Sequence, residues 1–388
     1  MQKSEMPRAK QRLIVAGVAT RALAQSAARA GWQVTAVDAF GDLDLRACAD
    51  VVALRREENG FDPAAAARAV RDLPADAVAY TANLENHPSA VTALSAGRRL
   101  LGNPAPVLQR VRDPLGLMRA LRDRGIPTPV TRSQPSGHMD HRSRGWMLKP
   151  RRSGGGHGTT VWRAGQPVSR HQYLQERITG EPGSIILVAD GRSARILGLS
   201  RQLAGCREFG ASGFRYCGSL VGRGLFDEED VLLERAGPLA EAVTREYGLV
   251  GLNGVDFMAR AGIPLPIEVN PRTSGSMELL ERFTGTSLFG LHLDGCSGRL
   301  PQSRPAVSGV AGKAIVFARR AVVAGDPARW LRDPAIADVP HPGERIPRGR
   351  PICTVFATAR DAAGCLERLE RKARSIYLAL EPAARGAA

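Results

Sequence analysis

The sequence predicts an α/β protein: a parallel α/β unit over residues 1–104, an α+β unit over 105–302, and a small α/β extension over 303–388. Three stretches carry that prediction. Residues 12–38 read as strand, alanine-rich helix, strand, which is a βαβ start. Residues 146–162, W-M-L-K-P-R-R-S-G-G-G-H-G-T-T-V-W, read as a strand, a glycine loop and a returning strand. Residues 250–272, V-G-L-N-G-V-D-F-M-A-R-A-G-I-P-L-P-I-E-V-N-P-R, read as two apolar runs around a turn at Ala261, Gly262 and Pro264, a hairpin signature.

Composition sets the outer bounds. The chain has 388 residues, 43% hydrophobic and 24% charged, enough for two or three packed cores. No apolar run reaches the ~20 residues that span a bilayer. The N-terminus shows no apolar signal core, so a cytoplasmic location is expected, without membrane attachment. Six cysteines lie scattered with no C-x-x-C pair, which argues against a structural zinc site or a disulfide framework. The net charge is +16, but only Lys3, Lys10, Lys149, Lys313 and Lys372 among the 54 basic residues are lysine. The arginines are spread over the chain and aromatics are 5%, so a clustered nucleic-acid footprint is not expected.

In chain order, the strand over 12–18 leads to a helix over 20–30, stopped by Gly31, and a strand ending at Asp38. Only Gly17 stands in the first turn, so the G-x-G-x-x-G dinucleotide fingerprint is missing. Asp38 could face a ribose, but without that fingerprint it reads as a solvated turn residue. A strand over 51–54, a helix over 63–73 and a strand over 77–84 follow. Glu85 and Asn86 come next. They are either substrate contacts, because ligands sit beyond the carboxyl ends of parallel strands, or caps of a helix starting near Pro88. Residues 101–104 form a boundary, and 114–124 a helix closed by Gly125. Residues 134–144 are polar and read as a loop.

The 146–162 stretch delivers one lysine, Lys149, to a loop of Gly154, Gly155, Gly156, His157 and Gly158. Glycines let backbone N–H groups approach phosphate oxygens, and lysine adds a point charge. The pattern is not the G-x-x-x-x-G-K-[ST] loop. His157 reads as a phosphate neighbour or a solvent-facing residue rather than a base. Strands follow over 172–178, 184–189 and 193–199, the last two joined at Asp190-Gly191, a strong hairpin signal. Residues 205–216 are glycine-rich and expected to be mobile. They carry Arg215 between Phe214 and Tyr216, which either grips a substrate carboxylate bidentately or is one more surface arginine. A helix over 228–247 leads into the hairpin.

If that hairpin turns near Gly262, Asp256 lies opposite Glu268, and Asn270 shares a face with Glu268. Opposed carboxylates repel, and a cation between them reverses the sign. Three oxygen donors on a rigid face suit a hard ion such as Mg²⁺; the alternative is an ordinary hairpin with surface acids. Beyond it come a helix over 274–283, whose N-terminus after Arg272 favours an anion, a linker at 303–306, strands over 312–318 and 351–357, and a helix over 361–380. Lys313 reads as structural.

The order of these motifs resembles the ATP-grasp superfamily. Ile267-Glu268-Val269-Asn270-Pro271-Arg272 is similar to its metal-binding strand, Leu148-Lys149-Pro150 with the glycine loop to its phosphate-covering loop, and Gln175-Glu176-Arg177-Ile178 with Gly180-Glu181 to its adenine and ribose hinge. In detail the chain resembles the branch related to biotin carboxylase, including ligases associated with methanopterin- and methanofuran-type one-carbon cofactors. The resemblance implies an ATP-grasp fold with a lid over about 130–205, ATP and Mg²⁺ (or Mn²⁺) as cofactors, and Asp256, Glu268 and Asn270 as metal ligands. It implies that a substrate carboxylate takes the γ-phosphate and that an amine attacks the acyl-phosphate. Lys149 would hold the phosphates and Arg272 the transferred charge. Glu176 and Ile178 would meet adenine, and Glu181 the ribose. The implied partners are a small acid and an amine such as glutamate, with a homodimer as the assembly. Many members carry a second phosphate lysine after an Asp near 113. Here Asp113 is followed by Pro114, leaving Arg110 or Arg112 to supply the charge. Other ATP-grasp chemistry, with bicarbonate as the acid, and a non-catalytic nucleotide-binding protein remain the alternatives; no biotin-carrier A-M-K-M motif is present.

Overall fold

The computed structural model describes residues 10–54, 61–135 and 145–380. The N-terminal stretch read for a signal, and most of the loop expected over 134–144, lie outside the described residues.

Five parallel strands, β1 (Arg12–Ala16), β2 (Gln33–Asp38), β3 (Asp50–Ala53), β4 (Ala77–Tyr80) and β5 (Arg99–Leu101), form a sheet in the order β3-β2-β1-β4-β5. Alternation along β1 sends Ile14 and Ala16 to one apolar layer and Leu13 and Val15 to the other, as a doubly covered parallel sheet requires. The first layer packs on helices Pro63–Ala69 and Pro88–Leu94, the second on helix Arg21–Arg29 and Phe289. Strand order reverses between β1 and β4, where a parallel sheet opens its crevice. Gly17 sits there because a Cβ would lie 2.0 Å from the Thr81 hydroxyl. The strand expected over 77–84 stops at Tyr80, and Leu84–Asn86 form a 3₁₀ turn. Asp38 is not a solvated turn residue. It is buried and accepts from the Thr20 N–H and hydroxyl and from the Phe40 and Gly41 N–H groups.

A second sheet is small and antiparallel: β6 (Thr131–Arg132), β7 (Trp146–Pro150), β8 (Thr160–Val161) and β9 (Gln172–Glu176), in the order β6-β9-β7-β8. The third is the backbone of the molecule. It contains β10 (Glu181–Asp190), β11 (Ala194–Ala204), β12 (Tyr216–Gly222), β13 (Val250–Arg260), β14 (Ile263–Asn270) and β15 (Val310–Phe317). A short ribbon pairs β16 (Val322–Val323) with β18 (Arg345–Ile346) around β17 (Ile336–Ala337), and β19 (Pro351–Ala359) completes the set. The order is β14-β13-β10-β11-β12-β15-β19-β17. Of the strands from 310 onward, β15, β17 and β19 therefore continue this sheet.

One face of this sheet takes Ile185 and Leu187 against helices Glu229–Tyr247 and Ala362–Ala379; the other takes Ile186 and Val188 against helices Met277–Thr284 and Leu288–Gly295. The β13–β14 turn has positive φ at Ala261 and Gly262, the geometry of a two-residue hairpin turn that pairs Phe257 with Pro266, and a one-residue register shift beyond that pair sets Asp256 opposite Glu268. The 205–216 loop, expected to be mobile, is pinned by a 3₁₀ turn at Arg207–Phe209 whose Phe209 is fully buried. No helix among the described residues is long and apolar enough to cross a membrane.

Candidate nucleotide and metal site

A cavity of ≈ 570 Å³ lies between the small sheet and the β14 edge of the large one. Lys149, Gly154, Gly155, Gly156, Gln175, Glu176, Ile178, Asp256, Glu268, Asn270 and Arg272 all line it. Residues far apart in the chain thus converge on one space.

The roof is β7 and β9. Lys149 stands across from Tyr173, and its Nζ donates to Gln175 Oε1 at 3.1 Å. Burial works to lower the Lys149 pKa, but the Tyr173 hydroxyl, Glu268 and Asp256 outweigh it and hold it above the usual lysine value. The ammonium is therefore firmly charged and aimed at the acids of the floor. Gln175, almost fully buried, also reaches the Ile267 carbonyl, so roof and floor touch. The glycine loop is closed down: Tyr216 N–H donates to the Gly155 carbonyl at 3.0 Å. Gly156 has φ +74, and a Cβ there would lie 1.9 Å from the Phe214 carbonyl oxygen. At the hinge, Glu176 accepts from Val130 N–H. Glu181 is turned to Arg201 (3.9 Å) and the Asp227 N–H, outside the cavity wall.

The floor is the hairpin. Burial raises the Asp256 pKa, and facing Glu268 raises it further. Burial pushes Glu268 up too, but Arg112 and Lys149 bring it below the usual glutamate value. Asn270 Nδ2 donates to Asp256 Oδ2 at 3.0 Å, and Asn270 Oδ1 accepts from Arg272 Nη2 at 3.1 Å. Among the described residues no cluster of three or more His, Cys, Asp or Glu forms a metal site. The hairpin set is two carboxylates and an amide. Such oxygen donors fit a hard divalent cation, Mg²⁺ or Mn²⁺, and a cation would relieve the repulsion that raises Asp256.

Behind the floor, Arg272 is 8% exposed and its Nε lies 2.8 Å from Glu85 Oε1. Glu85 is only 1% exposed. It neither caps the following helix nor reaches the cavity; it holds Arg272. Asn86, also buried, accepts from Arg112 and donates to Asn83. Direct substrate contact, the reading weighed for both residues, is not what the geometry offers. Arg215 is likewise turned away from the cavity, with its guanidinium 3.9 Å above the Phe317 ring and its buried Nε unbonded. Exposed His157 lies outside the cavity wall, and burial together with Arg215 and Arg350 lowers its pKa.

Arg110 and Arg112 separate cleanly. Arg110 is 57% exposed on Glu246, whereas Arg112 lines the cavity at 11% exposure. Sequence reasoning passed over Ser184 and Gln202, which line the cavity from neighbouring strands, and Tyr216, which lines it beside the loop. No motif marks them, because only strand pairing brings them to Asp256 and the loop. Lys313 is structural, as read, but it is also buried in an ion pair with Glu278 at 3.0 Å.

Residues 111–276 match the ATP-grasp domain family. Over 115 residues the chain is 29% identical to an uncharacterized protein of Methanocaldococcus jannaschii; that segment is 30% of this chain and 28% of the relative's length. The fold is similar to the biotin carboxylase domain dimer of Hydrogenobacter thermophilus 2-oxoglutarate carboxylase, solved with MgADP, ADP and bicarbonate (TM-score 0.69, 15% identity, 96% of this chain and 90% of that one). It is also similar to N5-carboxyaminoimidazole ribonucleotide synthetase of Thermotoga maritima (TM-score 0.66, 15% identity, 94% and 98%). The chain has the ATP-grasp fold, with its parallel α/β sheet and its antiparallel sheet.

Proposed function

We propose that this chain, an ATP-grasp fold with the family's domain over residues 111–276, is an ATP-dependent carboxylate–amine ligase. The observation that carries the reading is the placement of Lys149 and the glycine loop directly across one cavity from Asp256, Glu268 and Asn270. Phosphoryl transfer asks for charge neutralisation and in-line positioning more than for acid–base groups, and this cavity is built of such groups. Lys149 holds ATP phosphate, with N–H groups of Gly154, Gly155 and Gly156 closing over it. Glu176 and Ile178 offer hinge backbone to adenine. Asp256, Glu268 and Asn270 hold Mg²⁺ or Mn²⁺, which neutralises phosphate charge. A substrate carboxylate oxygen attacks the γ-phosphorus and ADP leaves. An amine then attacks the acyl carbon, phosphate departs, and the amine loses a proton as the amide forms. Arg272, held in place by Glu85, stabilises the oxyanion that develops in either step.

The acid and amine are small molecules, and the amine we favour is glutamate or a similar amino acid in one-carbon cofactor biosynthesis. The likeness to carboxylases supports a second reading, with bicarbonate as the acid. ADP release measured with Mg²⁺ and panels of acids and amines separates them. Amine-dependent release supports the ligase, and release dependent on bicarbonate alone supports carboxylation. Tight ATP binding without turnover on any substrate defeats both. Glu268→Gln and Asn270→Ala are each expected to abolish turnover with an unchanged circular-dichroism spectrum. Wild-type rates in both would defeat the metal assignment.

A further inference from the structure

Arg112 uses its whole guanidinium. Nε and Nη2 donate to Asn86 Oδ1 at 3.2 and 3.0 Å, and Nη2 also donates to the Ser153 carbonyl at 2.8 Å. Nη1 donates to Glu268 Oε1 at 2.5 Å and to the Val269 carbonyl at 3.1 Å. Every N–H of the fork is thereby engaged, and the side chain is 11% exposed. Three separate pieces of the molecule meet on this one cation. Asn86 belongs to the 3₁₀ turn after β4 of the parallel sheet, Ser153 to the glycine-loop segment, and Glu268 to the hairpin.

The contact with Glu268 has a chemical consequence. A hard cation bonds a carboxylate oxygen at about 2.0–2.1 Å for Mg²⁺ and needs that oxygen's lone pairs. Arg112 already occupies Oε1, and arginine does not lose its charge at accessible pH. Metal and guanidinium therefore compete for the charge of one carboxylate, and for its Oε1 directly wherever the metal approaches that oxygen. Guanidinium also pairs bidentately with phosphate oxygens, and Arg112 lines the same cavity as Lys149.

We propose that Arg112 is a resident counter-cation that keeps divalent metal off Glu268 until nucleotide phosphate draws the guanidinium away, so that metal enters with the nucleotide rather than before it. The inference rests on the metal assignment made under the proposed function. Leaving Glu268 also releases the Ser153 carbonyl and Asn86, so the exchange is felt by the glycine loop and by the parallel sheet together. Arg112 is in this sense a positioning residue for the order of binding.

The test measures two affinities of the full chain. Free Mn²⁺ is titrated by electron paramagnetic resonance without nucleotide, and ATP is titrated calorimetrically in EDTA. Arg112→Gln is expected to bind Mn²⁺ about tenfold more tightly and metal-free ATP about tenfold more weakly, each the effect of a neighbouring charge worth about one pKa unit. Opposite directions are the signature, because structural damage would weaken both. Arg112→Gln binding Mn²⁺ no more tightly than wild type, while Glu268→Gln binds it clearly less well, overturns the inference and leaves the metal site standing. Wild type, Arg112→Gln and Glu268→Gln all binding Mn²⁺ alike overturns the metal assignment itself, and the inference with it. If Arg112→Gln fails to fold, Arg112→Lys is read instead. Lysine keeps the charge but cannot hold Asn86 and Glu268 at once, so a gain of about threefold in Mn²⁺ affinity is expected. No gain overturns the inference.

Discussion

Gly156 decides whether the glycine loop can close onto residues 214–216. Its φ of +74 and the Phe214 carbonyl 1.9 Å from any Cβ leave no room for a side chain. Gly156→Ala combines left-handed strain of about 1–2 kcal/mol with a collision against backbone. The expected result is a rise in KM for ATP of about tenfold, with the melting temperature little changed, because the loop lies on the surface of the fold; steady-state kinetics and a thermal melt check it. Lys149→Ala removes an ammonium aimed at the cavity floor. Calorimetry should show ATP affinity lower by about tenfold, the value of a charge-assisted hydrogen bond of roughly 1.5 kcal/mol. Equal affinity would remove Lys149 from the phosphate site.

At the scale of elements, helix Met277–Thr284 presents buried Glu278 to Arg21 Nη1 at 2.6 Å, to Lys313 Nζ at 3.0 Å and to Arg282 Nε at 3.2 Å. Arg21 also reaches Asp338, so one carboxylate organises three elements and a loop. Burial works to raise the Glu278 pKa, yet Arg21 and Lys313 hold it well below the ordinary 4.5. A depressed carboxylate gives stability that is complete above the unfolded value and is lost as pH falls through the folded one. Glu278→Gln leaves two buried cations short of a partner, and the expected loss near neutral pH is about 3–5 kcal/mol in denaturant melts. That difference from wild type should shrink as pH falls below about 4.5 toward the depressed folded value.

What the sequence revealed divides along the same line. The hairpin was legible from Ala261-Gly262 between two apolar runs, but its register was legible only in part: the two-residue turn alone would pair Asp256 with Ile267, and the one-residue bulge that sets Glu268 there instead has no mark in the sequence. Lys149 was legible as a rare lysine before a glycine run. Arg112 as a bridge was not, since its partners Asn86 and Glu268 stand 26 and 156 residues away and no local pattern encodes them. Asp38 and Glu85 misled for the converse reason. A lone acid after a strand looks solvated or substrate-facing until the element that covers it is known, here Thr20 for one and Arg272 for the other.

At the scale of the molecule, the cavity draws its walls from the four-stranded and the eight-stranded antiparallel sheets, so ligand binding should stiffen the whole. Nucleotide with Mg²⁺ at a hundred times its dissociation constant adds about 2.7 kcal/mol, a rise in melting temperature of several degrees. Glu268→Gln should show a much smaller rise with Mg²⁺ present. The order of the large sheet carries a different consequence. β15 pairs with β12 along Gly218–Gly222, and Ser219, Leu220 and Val221 are buried there. A gene truncated after codon 302 would keep every cavity-lining residue and still strip β12 of its neighbour. It would bare a row of unpaired amides beside apolar side chains, a template for self-association. Such a fragment is expected in inclusion bodies rather than in the supernatant, and the smallest soluble form of this protein is expected to reach at least through the end of β19.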